Sequence, residues 1–371
     1  MALHANAKVI TEGLVFNLDT LTTKGYQGEP TTNVVPAAKT MSGWSSYNYG
    51  NDGTFATEFG TTGYRITNRG SWNGIYRGIT LPSTGTYTFS MWIRYLGGSA
   101  NNNGATVYIS GWGGGDSSVG INKSLVGQWQ RISNTLTCTT TSVTFYCISY
   151  GGTSGGDNSS WECTMPQVEL KGYATPWVES SRSTTQAFIN SGGNGASITP
   201  SGITYNSDGT ITQGAGVWQA DQTKSASNTF SCWAKTTNSL TSNMLFNAGP
   251  TGTGPDLYFS GGSIYWNIWD GSGNPFNATV PANASNGSYH HWVVVNNSAD
   301  NTAKLYYDGA LLGTATYRSA TANTTMFIGA GGTSGSYPWN GTVGQFHIYN
   351  RALTATEVAA NFNTSRARFG L

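Results

Sequence analysis

The chain has 371 residues, of which 9% are charged and 13% aromatic, and its formal net charge is +1. Proteins that bind nucleic acid or anionic membranes concentrate Lys and Arg on one patch, so this composition argues against both partners. No apolar run approaches the ~20 residues that a membrane-spanning helix needs. The first residues also lack the basic flank and apolar core of a signal peptide.

The composition favours an all-β chain. Aromatic and β-branched residues favour strands, whereas the 50 glycines and the many Asn and Ser residues favour the turns between strands. The length is sufficient for two or three domains, each with its own core. The four cysteines are too few for a disulfide scaffold, and no C-x-x-C spacing indicates zinc.

A set of strand patterns occurs twice along the chain. Each copy has an alternating strand with a basic end, a second strand, a turn, a third strand and a closing strand. The first copy has these at Thr88–Arg94, Gln128–Ser133, Val143–Tyr146 and Gln167–Lys171, and the second at Thr229–Lys235, His291–Val295, Lys304–Tyr307 and Gln345–Tyr349. Four patterns in the same order predict two β-sandwiches, with longer loops in the second.

The first sandwich is predicted at residues 32–180. Its segments Gly43–Tyr47, Gly85–Trp92 and Cys163–Trp177 resemble a carbohydrate-binding-module jelly roll. Gln167-Val-Glu, followed by Tyr173-Ala-Thr-Pro, is similar to the end of such modules in virion proteins of tailed bacteriophages. The Ser/Thr/Gly/Asn-rich stretch that follows, as far as Gly202, is either a linker or a set of short strands.

The second sandwich is predicted at residues 181–371. Tyr289–Gly313 contains two strand-like runs and the two-residue turn signal Asp308-Gly309, which predict a three-stranded meander. This stretch resembles the signature of laminin-G-like, concanavalin A-like jelly rolls. The second copy lacks the opening strand of such modules, but Glu12–Asp19 resembles that opening. We therefore expect residues 1–31 to form an arm plus a strand, Gly13–Asp19, that completes the C-terminal sandwich, with the first sandwich inserted.

One helix is predicted, from about Ala355 to Phe362. Thr354 is a good N-cap, Glu357 completes a capping box, and Leu353 and Val358 have the spacing of a hydrophobic staple. The C-terminal segments resemble the ending of laminin-G-like modules in phage structural proteins. These segments are Ile348–Glu357, Asn361-Phe-Asn and Arg368–Leu371.

Catalytic residue patterns are absent from the sequence. Glycanases of this fold commonly carry their carboxylates as E-x-D-x-x-E, and no acidic residue here has another two or three positions away. Separated carboxylates, such as Glu162, Asp256 and Asp270, could still converge in space, which leaves a glycan depolymerase as an alternative. His290 and His291 are adjacent in a strand and point to opposite faces, so they are predicted to pack rather than to bind a metal together.

Exposed aromatic rings that stack on sugars are the predicted binding groups, helped by polar side chains nearby. The alternative for each tryptophan is a place in a sandwich core. The candidates near loops are Trp44, Tyr47, Trp72, Trp112, Trp161, Trp269, Asp270, Tyr337 and Trp339. No cofactor is predicted; calcium occurs in Asp/Asn loops of related folds, but no EF-hand-like spacing is present.

The sequence thus predicts an all-β fold of two tandem antiparallel β-sandwich (jelly-roll) domains with one short C-terminal helix. The resemblances imply a non-enzymatic structural protein on the surface of a tailed-phage virion, such as a capsid decoration, head fibre or tail fibre. Its expected partners are other virion proteins, through residues 1–12, and host surface glycans, and a homotrimer is expected. A secreted or cell-surface carbohydrate-binding protein is the other alternative.

Overall fold

The structure is a computed structural model that describes residues 9–21, 26–48, 52–69, 72–98, 105–149, 159–193, 196–206, 211–221, 225–248, 255–268, 278–317, 325–332 and 335–371. Its described elements are antiparallel strands and one α-helix near the C terminus, as predicted. They form two compact units. Unit 1 comprises residues 1–28 and 184–371, and unit 2 comprises residues 29–183.

Unit 2 contains twelve of the strands. In chain order after β1 (Leu14–Asp19) of unit 1, they are β2 (Thr31–Thr32), β3 (Ser45–Tyr47), β4 (Thr54–Ala56), β5 (Thr62–Arg69), β6 (Gly74–Thr80), β7 (Gly85–Gly98), β8 (Ala105–Ser110), β9 (Ser117–Gly120), β10 (Trp129–Cys138), β11 (Ser142–Ser149), β12 (Ser159–Glu169) and β13 (Ser181–Arg182).

The remaining strands belong to unit 1. They are β14 (Ile198–Ser201), β15 (Thr204–Tyr205), β16 (Ile211–Thr212), β17 (Val217–Asp221), β18 (Asn228–Thr236), β19 (Ser242–Asn247), β20 (Pro255–Ser260), β21 (Ser263–Ile268), β22 (Ala278–Thr279), β23 (His290–Asn297), β24 (Thr302–Tyr307), β25 (Ala310–Thr316), β26 (Thr325–Ile328) and β27 (Gly341–Tyr349). The helix α1 spans Ala355–Ser365, and 3₁₀ turns occur at Thr184–Gln186 and Arg366–Phe369.

Unit 1 is a sandwich of a six-stranded and a seven-stranded sheet. The first has the order β1-β27-β18-β23-β24-β25, and the second β14-β17-β26-β19-β20-β21-β22. Side chains at every second position of both sheets form one buried apolar core. The Ser/Thr/Gly/Asn-rich stretch after Ser180 contains the short strands β13 and β14, so it is not a plain linker.

The N-terminal strand β1 lies at one edge of the six-stranded sheet. It pairs with β27, with Asp19 opposite Gln345 and Leu14 opposite Tyr349. Phe16 and Leu18 are fully buried in the unit 1 core. Residues from opposite ends of the sequence therefore complete the same sheet.

The chain leaves unit 1 and returns to it along paired segments. Within unit 1, the backbone N–H of Gln27 donates to the carbonyl of Ala187 at 2.8 Å. Within unit 2, β2 pairs with β13, and the N–H of Asn33 donates to the carbonyl of Ser180 at 2.7 Å. Both ends of unit 2 are therefore adjacent, which is the geometry that allows a domain to be inserted at one point of another.

The predicted meander and helix are confirmed. Between β24 and β25, Asp308 and Gly309 have φ values of 48° and 79°, as a two-residue type I′ hairpin turn requires. The hydroxyl of Thr354 accepts the N–H of Glu357, whose carboxylate accepts the N–H of Thr354. Leu353 and Val358 are both buried in one small cluster with Tyr349. The helix continues to Ser365, three residues beyond its predicted end.

Unit 2 is a sandwich of two five-stranded sheets. Their orders are β10-β7-β12-β5-β4 and β3-β6-β11-β8-β9, and a second buried core lies between them. The block β10-β7-β12 corresponds to β23-β18-β27 of unit 1, in agreement with three of the four repeated patterns. The remaining correspondence, of Val143–Tyr146 with Lys304–Tyr307, is wrong. Strand β24 pairs with β23 and so extends the sheet of that block, whereas β11 belongs to the opposite sheet of unit 2.

The placement of β1 leads to a prediction about local stability. Phe16 in unit 1 and Phe145 in unit 2 are both fully buried. Replacing either with alanine is expected to cost about 3–5 kcal/mol, because a large cavity remains. Hydrogen exchange in mild denaturant should show Phe16→Ala accelerating exchange in residues 184–371, and Phe145→Ala in residues 29–183. Faster exchange in unit 2 of the Phe16→Ala variant would contradict the assignment of β1.

Candidate functional site

A row of aromatic side chains crosses one sheet of unit 2. Tyr146 on β11 lies opposite Tyr76 on β6 and opposite Tyr108 on β8. Directly opposite residues share one face of a sheet, and neighbouring strands lie ~4.8 Å apart, so three tyrosines in register form a continuous row. We call Tyr76, Tyr146 and Tyr108, with Tyr47 and Trp72 at their edges, the tyrosine row.

The rings of the tyrosine row are in mutual contact. Tyr76 and Tyr146 stack with ring centroids 5.6 Å apart and planes inclined by 27°. Tyr108 meets Tyr146 edge-on at 5.1 Å, and Tyr47 meets Tyr146 edge-on at 5.3 Å. Trp72 stands edge-on to Tyr108 at 5.9 Å. Such contacts hold each ring in place before a ligand arrives.

The row faces away from the core. The neighbouring residues on the three strands, Ile75, Cys147 and Val107, are fully buried on the other face. Trp72 is 38% exposed, and Tyr47, Tyr76 and Tyr146 are half-buried. Tyr108 is largely covered. The exposed part of the row therefore extends from Tyr47 across Tyr76 and Tyr146, with Trp72 beyond Tyr108.

Trp72 is held at the row by its backbone. Its N–H donates to the carbonyl of Ser149 at 2.6 Å, and the N–H of Ser149 donates to the carbonyl of Asn73 at 3.0 Å. The hydroxyl of Ser149 also accepts the indole N–H of the buried Trp161. Trp72 has φ of 64°, a conformation that non-glycine residues adopt rarely and often at functional sites.

Two glycines flank Tyr76 on its own face of β6. A Cβ on Gly74 would lie 2.2 Å from the carbonyl oxygen of Cys147, whereas a Cβ on Gly78 would meet nothing within 4 Å. Gly74 therefore permits close contact between strands. Gly78 leaves open space beside the Tyr76 ring, which a ligand could occupy.

The structure corrects several of the predicted site residues. Trp161 and Trp339 are fully buried and Trp44 is 6% exposed, so these three rings belong to the sandwich cores and are not available to a ligand. The indole of Trp44 packs edge-on against Phe145, and that of Trp339 donates to the carbonyl of Lys235. A position near a loop in the sequence does not distinguish a buried aromatic residue from an exposed one, because residues at strand ends also lie near loops.

The other predicted residues have separate places. Tyr47 and Trp72 belong to the tyrosine row. The half-buried Trp112 donates its indole N–H to the carbonyl of Gly115 within its own loop and packs against the unit 2 core. In unit 1, Tyr337 is 47% exposed and contacts Tyr258 edge-on at 5.4 Å. Trp269 and Asp270 lie outside the described residues.

Sequence reasoning missed Tyr76, Tyr108 and Tyr146. Each alternates with apolar residues in its strand, and this was the available signal, but the pattern alone does not indicate that the three lie side by side. It also missed a second aromatic group on the other sheet of unit 2. There Phe59, 44% exposed, contacts Trp92 and Trp129, and the guanidinium of Arg94 lies 4.5 Å from the Trp129 ring.

Glu162, one of the carboxylates considered for catalysis, is already paired. Glu162 is buried in unit 2, where one oxygen accepts from Arg65 and the other from Arg94. Asp256 lies in unit 1, and Asp270 is outside the described residues. Both oxygens of Glu162 thus bind guanidinium groups in the described structure.

The histidines form part of the packing around β23 and β27. His290 bonds to Asp308 at 2.8 Å, and His291 bonds to the hydroxyl of Ser231 at 2.8 Å. Burial lowers the pKa of His291 to about 3, assisted by the nearby His347, and lowers the pKa of His347 to about 4. Among the residues that the structure describes, no group of three or more His, Cys, Asp or Glu side chains could hold a metal ion.

One comparison with known proteins concerns unit 1. Residues 208–359, within unit 1, match the family described as the concanavalin A-like lectin/glucanases superfamily. No curated protein matches the chain. In the described parts of the chain, no helix is both long enough and apolar enough to cross a bilayer.

Some solved structures are also similar. They include the receptor-binding domain of botulinum neurotoxin mosaic serotype C/D (16% identity, TM-score 0.40, 48% of each chain covered). Others are the binding domain of Paraclostridial Mosquitocidal Protein 1 (18%, TM-score 0.39) and that of botulinum neurotoxin serotype D (14%, TM-score 0.39), each with 48% of this chain and 49% of the other covered. The alignments span about half the length of the structures they match.

The two glycines beside Tyr76 provide a matched pair of variants. Gly74→Ala should lower the free energy of unfolding of unit 2 by about 1–3 kcal/mol, because the strands must separate to admit the methyl group. Gly78→Ala should change it by less than ~0.5 kcal/mol, as is usual for surface substitutions. Chemical denaturation of both variants tests this; equal effects would contradict the described register of β6 and β11.

The buried histidines predict a pH dependence. An unfolded chain binds protons at histidine below its ordinary pKa of ~6.5, whereas His291 and His347 in the folded chain resist protonation until about pH 3 and about pH 4. Above pH 6.5 these histidines should therefore leave the free energy of unfolding of unit 1 unchanged. On acidification towards pH 4, that free energy should fall by up to ~1.4 kcal/mol per pH unit per histidine. Melting curves measure this. Unit 2 contains no histidine and is the internal control; equal acid sensitivity of both units would contradict the prediction.

Proposed function

We propose that the protein is a non-enzymatic glycan-binding protein and that the tyrosine row of unit 2 is its sugar-binding surface. The observation that carries this proposal is the register of Tyr76 and Tyr146, which with Tyr47 gives a partly exposed aromatic strip on one sheet. Trp72 lies beyond the covered Tyr108. The C–H faces of sugar rings stack on such rings, and the tyrosine and serine hydroxyls supply hydrogen bonds to sugar hydroxyls.

The chemistry of the row favours a neutral glycan. The row itself carries no charged side chain, and the hydroxyl of Ser110 lies 3.5 Å from that of Tyr146. A chain of sugars lying across β3, β6 and β11 would meet the rings of Tyr47, Tyr76 and Tyr146, whose centroids lie 5.3 to 5.9 Å apart. Because the rings are already packed against one another, little side-chain freedom is lost on binding.

We further propose that the protein acts on the surface of a tailed-phage virion, where it holds the particle near its host. The C-terminal run Ile348–Glu357 and the ending Arg368–Leu371 support this role through their resemblance to phage structural proteins. The proposal includes a homotrimer, attachment to other virion proteins through residues 1–12, and no cofactor. The engagement of both Glu162 oxygens by arginines supports binding without catalysis over a depolymerase, which would release soluble sugars from host polysaccharide.

The test is a glycan array probed with the purified chain and three alanine variants. Trp72→Ala and Tyr47→Ala remove the exposed ends of the row, and each should weaken binding severalfold, because each removes a ring on which a sugar can stack. Tyr337→Ala, an exposed aromatic residue of unit 1, is the matched control and should bind as the parent chain does.

Melting temperatures identify variants that fail to fold. Binding that survives both unit 2 substitutions, or that disappears in Tyr337→Ala alone, would refute the assignment to the tyrosine row. Absence of binding to any host-derived glycan would refute glycan binding at this surface.

A further inference from the structure

Two cysteines meet between the two sheets of unit 2. Cys147 lies on β11, in the sheet that carries the tyrosine row, and Cys163 lies on β12 of the opposite sheet. Both side chains are fully buried in the core between these sheets, and both are free thiols. The thiol of Cys147 is hydrogen-bonded to that of Cys163, so the two sulfur atoms are neighbours.

A second contact between the same strands supports this placement. The indole N–H of Trp161 on β12 donates to the hydroxyl of Ser149 on β11 at 3.1 Å. Side chains at every second position of a strand share one face, so Trp161 and Cys163 point into the core together, as do Ser149 and Cys147. The hydrogen bond across the sandwich therefore brings the two cysteines opposite each other.

The pair differs from the other two cysteines of the chain. Burial alone raises the pKa of the Cys138 and Cys232 thiols. Burial also raises the pKa of the Cys147 thiol well above its ordinary value, and the hydrogen bond to Cys163 raises it further. Because the thiolate is the reactive form of cysteine, the folded pair reacts slowly, and reaction requires unit 2 to be folding or transiently open.

We propose that Cys147 and Cys163 form a disulfide between the two sheets of unit 2 when this unit folds or opens in an oxidising environment. Immunoglobulin domains carry an inter-sheet disulfide packed against a buried tryptophan, and Trp161 is such a neighbour here. The disulfide would join the sheet of the tyrosine row to the opposite sheet. The proposal concerns the scaffold of unit 2 and holds whatever the tyrosine row binds.

The oxidant is a small-molecule disulfide, such as oxidised glutathione. One cysteine thiolate attacks a sulfur atom of this molecule, breaks its S–S bond and releases one thiol. The second cysteine thiolate then attacks the mixed disulfide, forms the Cys147–Cys163 bond and releases the second thiol. Two electrons pass from the cysteines to the small disulfide, and the two cysteine protons end on the released thiols.

The test uses the full chain, purified with reduced thiols and incubated with oxidised glutathione at the denaturant concentration where unit 2 is half unfolded. After return to buffer, titration should find two free thiols instead of four, and the intact mass should fall by two hydrogen atoms. With free thiols alkylated, digestion by a glutamate-specific protease and chymotrypsin identifies the linked peptides. Cleavage after Glu162 and Tyr146 separates Cys138, Cys147 and Cys163 from one another.

The disulfide should also stabilise unit 2. The oxidised chain should melt in this unit roughly 5–10 °C above the chain treated with dithiothreitol, since a cross-link restricts the unfolded state. Hydrogen exchange locates the effect, and unit 1 should be unchanged as the internal control. Equal melting of unit 2 in both forms would contradict a stabilising cross-link.

Substitutions identify the pair. Cys147→Ala and Cys163→Ala should each keep all three remaining thiols free after the same incubation. Cys138→Ala and Cys232→Ala are the matched controls, because these cysteines are also buried, and each should still lose two thiols.

Three outcomes would overturn the proposal. They are four free thiols in the parent chain after incubation, glutathione adducts in place of a cross-link, and a linked peptide that contains Cys138 or Cys232. Peptide mapping of the parent chain requires no substitution, so it provides the test even if an alanine variant fails to fold.

Discussion

The pairing of β1 with β27 is the constraint on which the arrangement of the chain depends. Phe16 and Leu18 fill part of the unit 1 core, so that core is complete only when residues from both ends of the sequence meet. The chain must then leave unit 1 before residue 29 and re-enter it after residue 183 at adjacent points. The neighbouring pairs β2–β13 and Gln27–Ala187 provide this, and each unit can keep its own core.

The C-terminal segment reinforces the same edge of the sheet. Arg368 forms two hydrogen bonds with Asp19 at the end of β1, and Asn361 of α1 accepts the backbone N–H of Ile10. Trp233 stacks on Phe369 at 4.4 Å and on Phe362 at 5.7 Å, which attaches the helix to the outer face of the sheet. The N terminus of the helix is thereby fixed beside Lys304 and Tyr306.

The sequence alone determined the features that depend on local chemistry. Period-two alternation indicated the strands, Asp308-Gly309 indicated the type I′ turn, and Thr354 with Glu357 indicated the helix start, because each is decided by a few neighbouring residues. The opening motif Gly13–Asp19 indicated its own partner sheet through resemblance. Of the predicted glycan-binding candidates, Tyr47 and Trp72 lie at the two edges of the tyrosine row.

Tertiary structure alone decided which aromatic rings face outward and which of them meet. Trp44, Trp161 and Trp339 look like Trp72 in sequence, but their side chains point into the cores. Tyr76, Tyr108 and Tyr146 become neighbours only through the pairing of β6, β11 and β8. A shift of one residue in register would turn a strand's side chains to the other face, and register depends on long-range packing that no local pattern specifies.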